Sequence, residues 1–276
     1  MIYSKSTRLL IAKPIEEKLH NPDFKIIGER DDYLVVDKPA HLLAHPSAPD
    51  NPSTLWDGLK EWLAFEIASG GQVSIITRLD RETSGVTLVA ITAEAARRLG
   101  MAMQMKAFSK TYLAIVWDWP TNDEFEIDAP LRRKGEIEES PVWVKQIAHP
   151  DGKSARTTFR VLQRFNKPTS NGEQFSLVEC QPETGRMHQI RVHLQQAGHP
   201  LVGDKLYGKP GEHCYLEFIE TGWTNSLEEQ LLLNRQALHA SKLSWSDEQG
   251  THEWESPLPG KLQEFIDAEG DGETPA

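Results

Sequence analysis

Short apolar runs rich in β-branched residues, separated by polar turns, follow residue 24 of the chain. Residues 25–30 and 33–37 are two such runs, and the polar pair Asp31-Asp32 between them predicts a β-hairpin. Residues 54–68 instead carry apolar side chains at helical spacing, with Ser53 as the expected N-cap. The pattern therefore predicts two strands followed by an amphipathic helix.

Two further apolar runs, residues 73–76 and 86–91, flank a polar stretch around Asp80. They predict two strands that present a loop between them. Loops held by rigid strands are where catalytic side chains concentrate, so this loop is the first candidate site. Thr92 is the expected N-cap of a helix that continues to residue 106.

The rest of the chain continues this mixture of strands and helices. The elements predicted there are strands at 110–117, 155–162 and 175–181, a helix at 185–197 capped by Thr184, and a hairpin of strands 238–245 and 251–255. Many strands with few helices indicate an α+β fold with a mixed, largely antiparallel sheet. We expect one domain over residues 25–267, preceded by an arm at 1–24 and followed by an acidic, disordered tail at 268–276.

The formal net charge of −11 argues against a nucleic-acid partner, which usually meets a basic surface. However, residues 247–276 hold nine carboxylates against the single cation Lys261, a local balance of −8 that leaves −3 for the rest of the chain. Exposed charges are largely screened beyond about 8 to 10 Å at physiological salt. A nearly neutral body can therefore still contain a basic cleft.

The cysteines and histidines favour neither a disulfide framework nor a metal site. Cys180 and Cys214 stand alone, and His188, His193 and His199 are spaced by five and six residues, which does not align them on one helical face. No window approaches the roughly 20 apolar residues of a membrane span, and no apolar signal core is present near the start. We expect a soluble, cytoplasmic protein without cofactor, metal or membrane partner.

Asp80 is the leading candidate for a reacting group. Arg78 precedes it by two residues and Arg81 follows it, and such cations keep a loop carboxylate ionised. By itself, however, the local pattern fits better an aspartate that caps a turn or pairs with Arg78 or Arg81 at the surface. The pattern alone leaves both interpretations open.

Four further sequence stretches, before and after this loop, shift the interpretation of Asp80 from a structural to a catalytic residue. The five stretches are Tyr33-Leu34-Val35-Val36-Asp37-Lys38-Pro39 with His45-Pro46, Arg78-Leu79-Asp80-Arg81-Glu82-Thr83-Ser84-Gly85, Lys110-Thr111-Tyr112-Leu113-Ala114-Ile115-Val116, Glu183-Thr184-Gly185-Arg186-Met187-His188-Gln189-Ile190-Arg191, and Leu238-His239-Ala240. Together they resemble the motifs of the RluA-type pseudouridine synthase family, and they reach from about residue 25 to 260.

The resemblance implies a pseudouridine synthase fold with a central active-site cleft, an RNA substrate (ribosomal or transfer RNA) and no cofactor. The reaction would break the bond from ribose to uracil nitrogen 1, turn the base, and rejoin ribose to carbon 5. Asp80 would act as nucleophile or as the base that takes a ribose proton, with Arg191 paired to it. Tyr112 would pack against the uracil and help to take the proton from carbon 5.

A uridine stacked in a helix cannot be reached, so the target must be turned out. Arg78 would then fill the vacated space or hold a phosphate, although a solvated strand-end arginine also fits the pattern. The substrate-contacting set that follows from the motifs is Arg78, Thr83, His188 and Gln189. Helical spacing adds a polar face of His188, Arg191 and Gln195, and the basic run Arg132-Arg133-Lys134 fits either a phosphate contact or a solvated turn.

Two positions depart from the family pattern. Thr77 stands where histidine is usual, and His41 replaces the glycine usual after Lys38-Pro39. The 24 residues of the arm are also too few for the small RNA-binding domain that relatives often carry, so we expect RNA to be recognised by the catalytic domain. We also expect a monomer. The competing hypotheses are a non-catalytic RNA-binding protein and a glycoside hydrolase in which Glu82 partners Asp80.

Overall fold

The computed structural model describes residues 23–46, 53–248 and 250–267. Residues 1–22 of the expected arm and the whole expected tail at 268–276 lie outside the described residues. In the described part of the chain, no helix is long and apolar enough to cross a bilayer.

Most of the predicted elements are present, and several others join them. The strands are β1 Lys25–Glu29, β2 Tyr33–Lys38, β3 Ser74–Ile75, β4 Ser84–Ala90, β5 Ser109–Trp117, β6 Glu124–Asp128, β7 Leu131–Arg133, β8 Gln146–Ala148, β9 Arg156–Thr169, β10 Gly172–Pro182, β11 Leu238–Asp247 and β12 Gly250–Glu255. The helices are α1 Leu55–Trp62, α2 Ala64–Ala68, α3 Ala93–Gln104, α4 Gln189–Gln196, α5 His213–Thr221, α6 Asn225–Leu231 and α7 Gly260–Asp267.

Ten of these strands form one sheet with the order β1-β2-β4-β11-β5-β10-β9-β6, while β3 pairs with β4 and β12 with β11. Strands β7 and β8 form a separate ribbon. Every pair in the large sheet is antiparallel except β4 with β11, which run parallel near its centre. The expected α+β fold with a mixed, largely antiparallel sheet is therefore confirmed.

The central strands of the sheet are buried on both faces, which explains their uninterrupted apolar runs. Tyr33 and Val35 of β2 pack with α3 on one face, whereas Leu34 and Val36 pack with α1 on the other. Successive side chains of a strand point to opposite faces, so a strand covered on both sides needs apolar residues at every position. In the other half of the sheet, α4 covers one face of β5 and β10, and α7 covers the opposite face.

The helix predicted over residues 54–68 differs from the observed one in two respects. It is interrupted at Leu63 and continues as the separate short helix α2. Its N-cap is Thr54 rather than Ser53, because the Thr54 side chain accepts a hydrogen bond from the Asp57 amide while the Asp57 carboxylate accepts from the Thr54 amide at 3.0 Å. This reciprocal capping box satisfies two amides at once and fixes the start of the helix.

His41 occupies a backbone conformation that favours glycine, with a φ of 66°. The left-handed conformation costs a residue with a Cβ about 1 to 2 kcal/mol, part of which glycine returns as entropy in the unfolded chain. We therefore expect His41→Gly to raise the free energy of unfolding by about 0.5 to 1 kcal/mol in urea titrations. His41→Ala keeps the Cβ and is the control. Equal stabilisation by alanine and glycine would show that backbone conformation is not the cause.

Candidate active site

The loop that carries Asp80 joins β3 to β4 and is anchored at both ends. At its start, the buried hydroxyl of Thr77 accepts a hydrogen bond from the Leu88 amide at 2.8 Å. At its end, Gly85 has a φ of 114°, and a Cβ there would lie 2.2 Å from the carbonyl oxygen of Ala240 on β11. Only glycine permits this close approach of the two parallel strands. The position of Asp80 is therefore fixed by the central strands of the sheet.

Two buried lysines, Lys38 and Lys205, donate hydrogen bonds to the loop that carries Asp80. Lys38 donates to the carbonyl oxygens of Leu42 at 2.9 Å and Arg81 at 3.2 Å. Lys205 donates to Glu82 Oε1 at 2.7 Å and to the Asn234 carbonyl oxygen at 2.7 Å. Burying a charge is costly unless it is paired and hydrogen-bonded. Lys205 is paired with Glu82, whereas Lys38 has only carbonyl acceptors among the described residues and burial lowers its pKa to about 7.

Glu82 is occupied by this arrangement. Its Oε1 atom bonds Lys205, and its Oε2 atom accepts from the Gln236 amide at 3.3 Å. A glycoside hydrolase needs two carboxylates directed at one glycosidic bond. Glu82 instead neutralises a buried cation, so it does not provide the second carboxylate beside Asp80.

Arg191, the third residue of α4, links two carboxylates. Its NH1 atom donates to Asp80 Oδ2 at 2.9 Å, while Nε and NH2 donate to Asp204 at 2.7 and 2.9 Å. The fully buried Asp204 also accepts from the amides of Leu206 and Tyr207 at 2.9 and 3.0 Å. Asp204 therefore fixes the guanidinium in the orientation that reaches Asp80, as bidentate geometry allows for arginine.

The surroundings of Asp80 favour its ionised form. Burial raises the pKa of the Asp80 carboxyl, but the charge of a protonated His188, the guanidinium of Arg191 and the side-chain amide of Gln236 lower it, and the net shift is below the ordinary value. Burial also lowers the pKa of His188 to about 4, so this imidazole is uncharged at neutral pH. The guanidinium of Arg191 is thus the charge that keeps Asp80 a carboxylate.

Tyr112, on β5, lines the same pocket as Asp80 and Arg191. Burial and the nearby Asp80 carboxylate raise the pKa of its hydroxyl well above the ordinary value. Tyr112 is therefore a neutral phenol in the resting protein. Lys110 lies two residues earlier on β5 and also lines the pocket, and burial lowers the pKa of its amine.

The expected substrate-contacting residues all line this pocket, but their environments differ. Arg78 is exposed, and its guanidinium makes no hydrogen bond or ion pair with the described part of the chain. Thr83 is buried, and its hydroxyl accepts from the Gln236 side chain at 2.5 Å. Gln189 is also buried: it accepts from the Thr184 hydroxyl at 2.6 Å and donates to the Arg156 carbonyl oxygen at 2.9 Å.

The helix predicted from Gly185 begins later, at Gln189. Thr184 does not cap it, since its hydroxyl is used by the Gln189 side chain, and residues 185–188 form a loop. His188 precedes the helix in a left-handed conformation with a φ of 58°. The polar face predicted from helical spacing is therefore wrong, because His188 is not helical and Gln195 is exposed outside the pocket.

The basic run at residues 132–134 lies away from this pocket and is largely paired. Arg132 contacts Glu136 at 3.5 Å, and Lys134 contacts Glu138 and Glu212 at 3.7 Å each. These pairs fit the solvated-turn interpretation of the run better than a row of free phosphate ligands.

His188, His193 and His199, the three histidines spaced by five and six residues, do not share a site, and each has its own hydrogen-bond partners. His193 bonds the Thr157 hydroxyl at 2.9 Å and the Ala129 carbonyl oxygen at 3.0 Å, while His199 contacts the Trp117 carbonyl oxygen at 3.3 Å. Across residues 23–46, 53–248 and 250–267, no group of three or more metal-ligating side chains is arranged around one point.

Sequence reasoning missed several polar residues that shape the site. They are Lys110, Asp204, Tyr207 and Gln236. A signal for Asp204 was present, because Asp204 and Lys205 are two adjacent charged residues within the otherwise apolar stretch Leu201–Tyr207 between α4 and α5. A charge within an apolar segment is usually paired, although the sequence does not say with what.

Comparison with known proteins identifies a family whose sequence pattern matches this chain. A family described as "RNA pseudouridylate synthase" matches residues 32–196. The chain is 33% identical over 269 residues to a protein of Nitrosomonas europaea named ribosomal large subunit pseudouridine synthase D, covering 96% of this chain and 71% of that protein. A protein of the same name from Pseudomonas aeruginosa is 37% identical over 241 residues, covering 86% of this chain and 69% of that one.

Solved structures agree with the fold. Human RNA pseudouridylate synthase domain containing 1 superposes with a TM-score of 0.63 at 23% identity, covering 91% of this chain and 97% of the other. Human RNA pseudouridylate synthase domain containing 4 gives a TM-score of 0.65 at 21% identity, covering 87% and 90%.

Proposed function

Because this chain belongs to the RNA pseudouridylate synthase family, we propose that it isomerises a uridine of large-subunit ribosomal RNA with Asp80 as its catalytic carboxylate. The chain is an RNA pseudouridine synthase, and the names of its curated relatives supply the choice of RNA. One observation carries the assignment of Asp80. It is the only carboxylate lining the described pocket, and a guanidinium at 2.9 Å keeps it ionised beside Tyr112.

Asp80 would act on the ribose of the flipped uridine. The bond from ribose carbon 1′ to uracil nitrogen 1 breaks, the uracil turns, carbon 5 joins carbon 1′, carbon 5 loses its proton, and nitrogen 1 takes up a proton. Attack by a nucleophile and removal of a ribose proton both require an ionised carboxylate, and the Arg191 guanidinium keeps Asp80 ionised. Apart from protons exchanged with water, no atom is gained or lost, so the protein needs only to position the uridine and move protons.

Tyr112 would place its ring against the uracil during this rotation. An aromatic face suits a planar base, and the hydroxyl is the polar group available near the proton on carbon 5. Since this hydroxyl is protonated in the resting protein, it would accept that proton only while passing its own proton onward.

The other pocket residues would divide their tasks. Arg78, which is exposed and makes no hydrogen bond or ion pair with the described residues, would contact a phosphate or occupy the space left by the uridine. Thr83 and Gln189 would shape the pocket walls, since their hydrogen bonds go largely to the protein. Residues 25–267 would act as one catalytic domain, since every residue that lines the pocket lies in this range. We propose that this domain works as a monomer, and that it works in the cytoplasm because its curated relatives are named for ribosomal RNA.

Arg78 gives a direct test of RNA contact. We expect Arg78→Ala to weaken RNA binding and to reduce by about one the slope of log affinity against log salt, because one phosphate contact is lost. Fluorescence anisotropy at several salt concentrations measures both quantities. Arg97→Ala is the matched control, since Arg97 is an exposed arginine of α3 that does not line the pocket. An unchanged slope in Arg78→Ala would remove Arg78 from the RNA contact.

The reaction and its substrate are tested together by tritium release. RNA labelled at uracil carbon 5 is incubated with the protein, and the label appearing in water is counted for large-subunit ribosomal RNA, small-subunit ribosomal RNA and transfer RNA. We expect release from the first of these only. Release from transfer RNA alone would overturn the proposed substrate, and free uracil in solution would indicate hydrolysis instead of isomerisation.

A further inference from the structure

Tyr207 has no assigned role in the proposed function, yet it contacts Arg191, the residue paired with Asp80. Its side chain is fully buried, and its ring packs against the guanidinium of Arg191 at 4.8 Å. Its hydroxyl lies between two nitrogens, the amide of Gln146 at 2.7 Å and Nδ1 of His188 at 2.9 Å.

These two contacts determine where the protons are. The amide of Gln146 can only donate, so the Tyr207 oxygen is its acceptor. The Tyr207 proton then needs an acceptor of its own, and His188 Nδ1 is the one that the described residues offer. Leaving a buried hydroxyl proton unpaired is costly, so Nδ1 is the unprotonated nitrogen of the ring. A neutral imidazole must then carry its proton on Nε2.

His188 Nε2 faces the catalytic carboxylate. It lies 3.9 Å from Asp80 Oδ2, the same oxygen that accepts from Arg191. This separation exceeds a hydrogen bond in the free protein, and such contacts often shorten when substrate binds. Because burial lowers the pKa of His188 to about 4, the ring can donate to Asp80 without adding a charge that competes with Arg191.

The backbone of His188 is held in a strained conformation to place this ring. A left-handed φ of 58° is unfavourable for histidine, and the residue immediately precedes α4, the helix that carries Arg191. Backbone strain of this kind persists where surrounding structure imposes it and is common at functional sites.

We propose that Tyr207 locks neutral His188 in the tautomer protonated on Nε2, and that His188 then donates to Asp80 Oδ2 when the uridine binds. His188 and Tyr207 are therefore positioning residues for the catalytic carboxylate, and Oδ1 is left as the reacting oxygen. This inference rests on the proposed function of Asp80. It assigns a role to Tyr207 and replaces the expected contact of His188 with substrate by a contact with Asp80.

Three variants test the contribution to catalysis. His188→Gln places an amide N–H where Nε2 stands, whereas His188→Asn suits the left-handed backbone but is too short to reach Asp80. Tyr207→Phe removes the proton that fixes the tautomer. We expect kcat for tritium release to fall about 10- to 100-fold in His188→Asn and less in Tyr207→Phe, as the loss of a hydrogen bond to a charged group implies. His188→Gln should recover most of the loss, and the Kd for RNA should be unchanged in all three.

A measurement independent of activity tests the tautomer. In protein labelled with ¹⁵N-histidine, the His188 resonances are identified by their absence from the His188→Asn spectrum. We expect unprotonated Nδ1 and protonated Nε2 in the native protein at neutral pH, and a mixture of tautomers in Tyr207→Phe. Protonated Nδ1 in the native protein would overturn the proposal, as would full kcat in His188→Asn or losses confined to the Kd for RNA. Absence of tritium release from the native protein would instead refute the proposed function, and the spectra would remain interpretable.

Discussion

Replacement of Asp80 by alanine is expected to lower the rate of tritium release from labelled RNA by about 10⁴-fold or more, the scale seen when a group that forms or breaks bonds is removed. In the proposed reaction this carboxylate acts on the ribose, and the bond from Arg191 keeps it charged and oriented. Single-turnover measurements with enzyme in excess isolate this chemical step from RNA binding and product release.

Asp80→Asn is the matched control for this experiment. It keeps the size of the side chain and an oxygen for Arg191 but removes the negative charge, so it should be as inactive as Asp80→Ala. Both variants should bind RNA and unfold near the native temperature, because Arg191 remains paired with Asp204. More than about a tenth of native release in Asp80→Asn would show that the charge is not needed, contrary to the assignment.

Arg191→Met should cause the largest loss of stability, with the free energy of unfolding falling by about 3 to 5 kcal/mol at neutral pH. The substitution removes the cation and leaves the fully buried carboxylate of Asp204 without a counter-charge. Urea unfolding followed by circular dichroism measures the loss. The double variant Arg191→Met/Asp204→Asn tests the cause, because removing both charges should recover a large part of the stability.

The same pair predicts a pH dependence. Burial raises the pKa of Asp204, but Arg191 and the amide hydrogen bonds outweigh it and hold the pKa below its ordinary value. A carboxyl with a lowered folded-state pKa contributes stability above its unfolded pKa, about 3.9, and that stability is lost as the pH falls through the folded value. The difference between the native protein and Arg191→Met should therefore shrink below about pH 4. A difference independent of pH would mean that lost packing, rather than charge, destabilises the variant.

Local patterns predicted those elements whose determinants are close in sequence. Thr92 caps α3 as expected, because its hydroxyl needs only the amide of Ala95 three residues later. The strands around Asp80 were likewise predicted from their own apolar residues. The start of α4 was not, because Thr184 bonds the Gln189 side chain in place of a helix amide, a choice set by the tertiary contacts of Gln189 with β9.

The candidate site was predictable as a set of motifs but not as a network. Asp80, Tyr112 and Arg191 were expected from the resemblance, and the structure brings them to one pocket. Asp204 and Tyr207 come from the irregular segment between α4 and α5, where neither apolar period nor turn signal indicates what a side chain faces. Their roles depend on contacts between distant segments, which a single sequence does not encode in any local pattern.

The parallel junction of β4 with β11 also constrains how this protein reaches its active form. Ser84 bonds His239 across the junction at 2.9 Å, although the two residues are separated by 155 positions in the chain. Closing so long a loop costs chain entropy, and proteins with many contacts of this range fold more slowly. During synthesis the Asp80 loop therefore lacks its second anchor, on β11, until residue 240 has emerged, so we expect a nascent chain that already holds Asp80, Tyr112 and Arg191 to stay inactive until β11 is made.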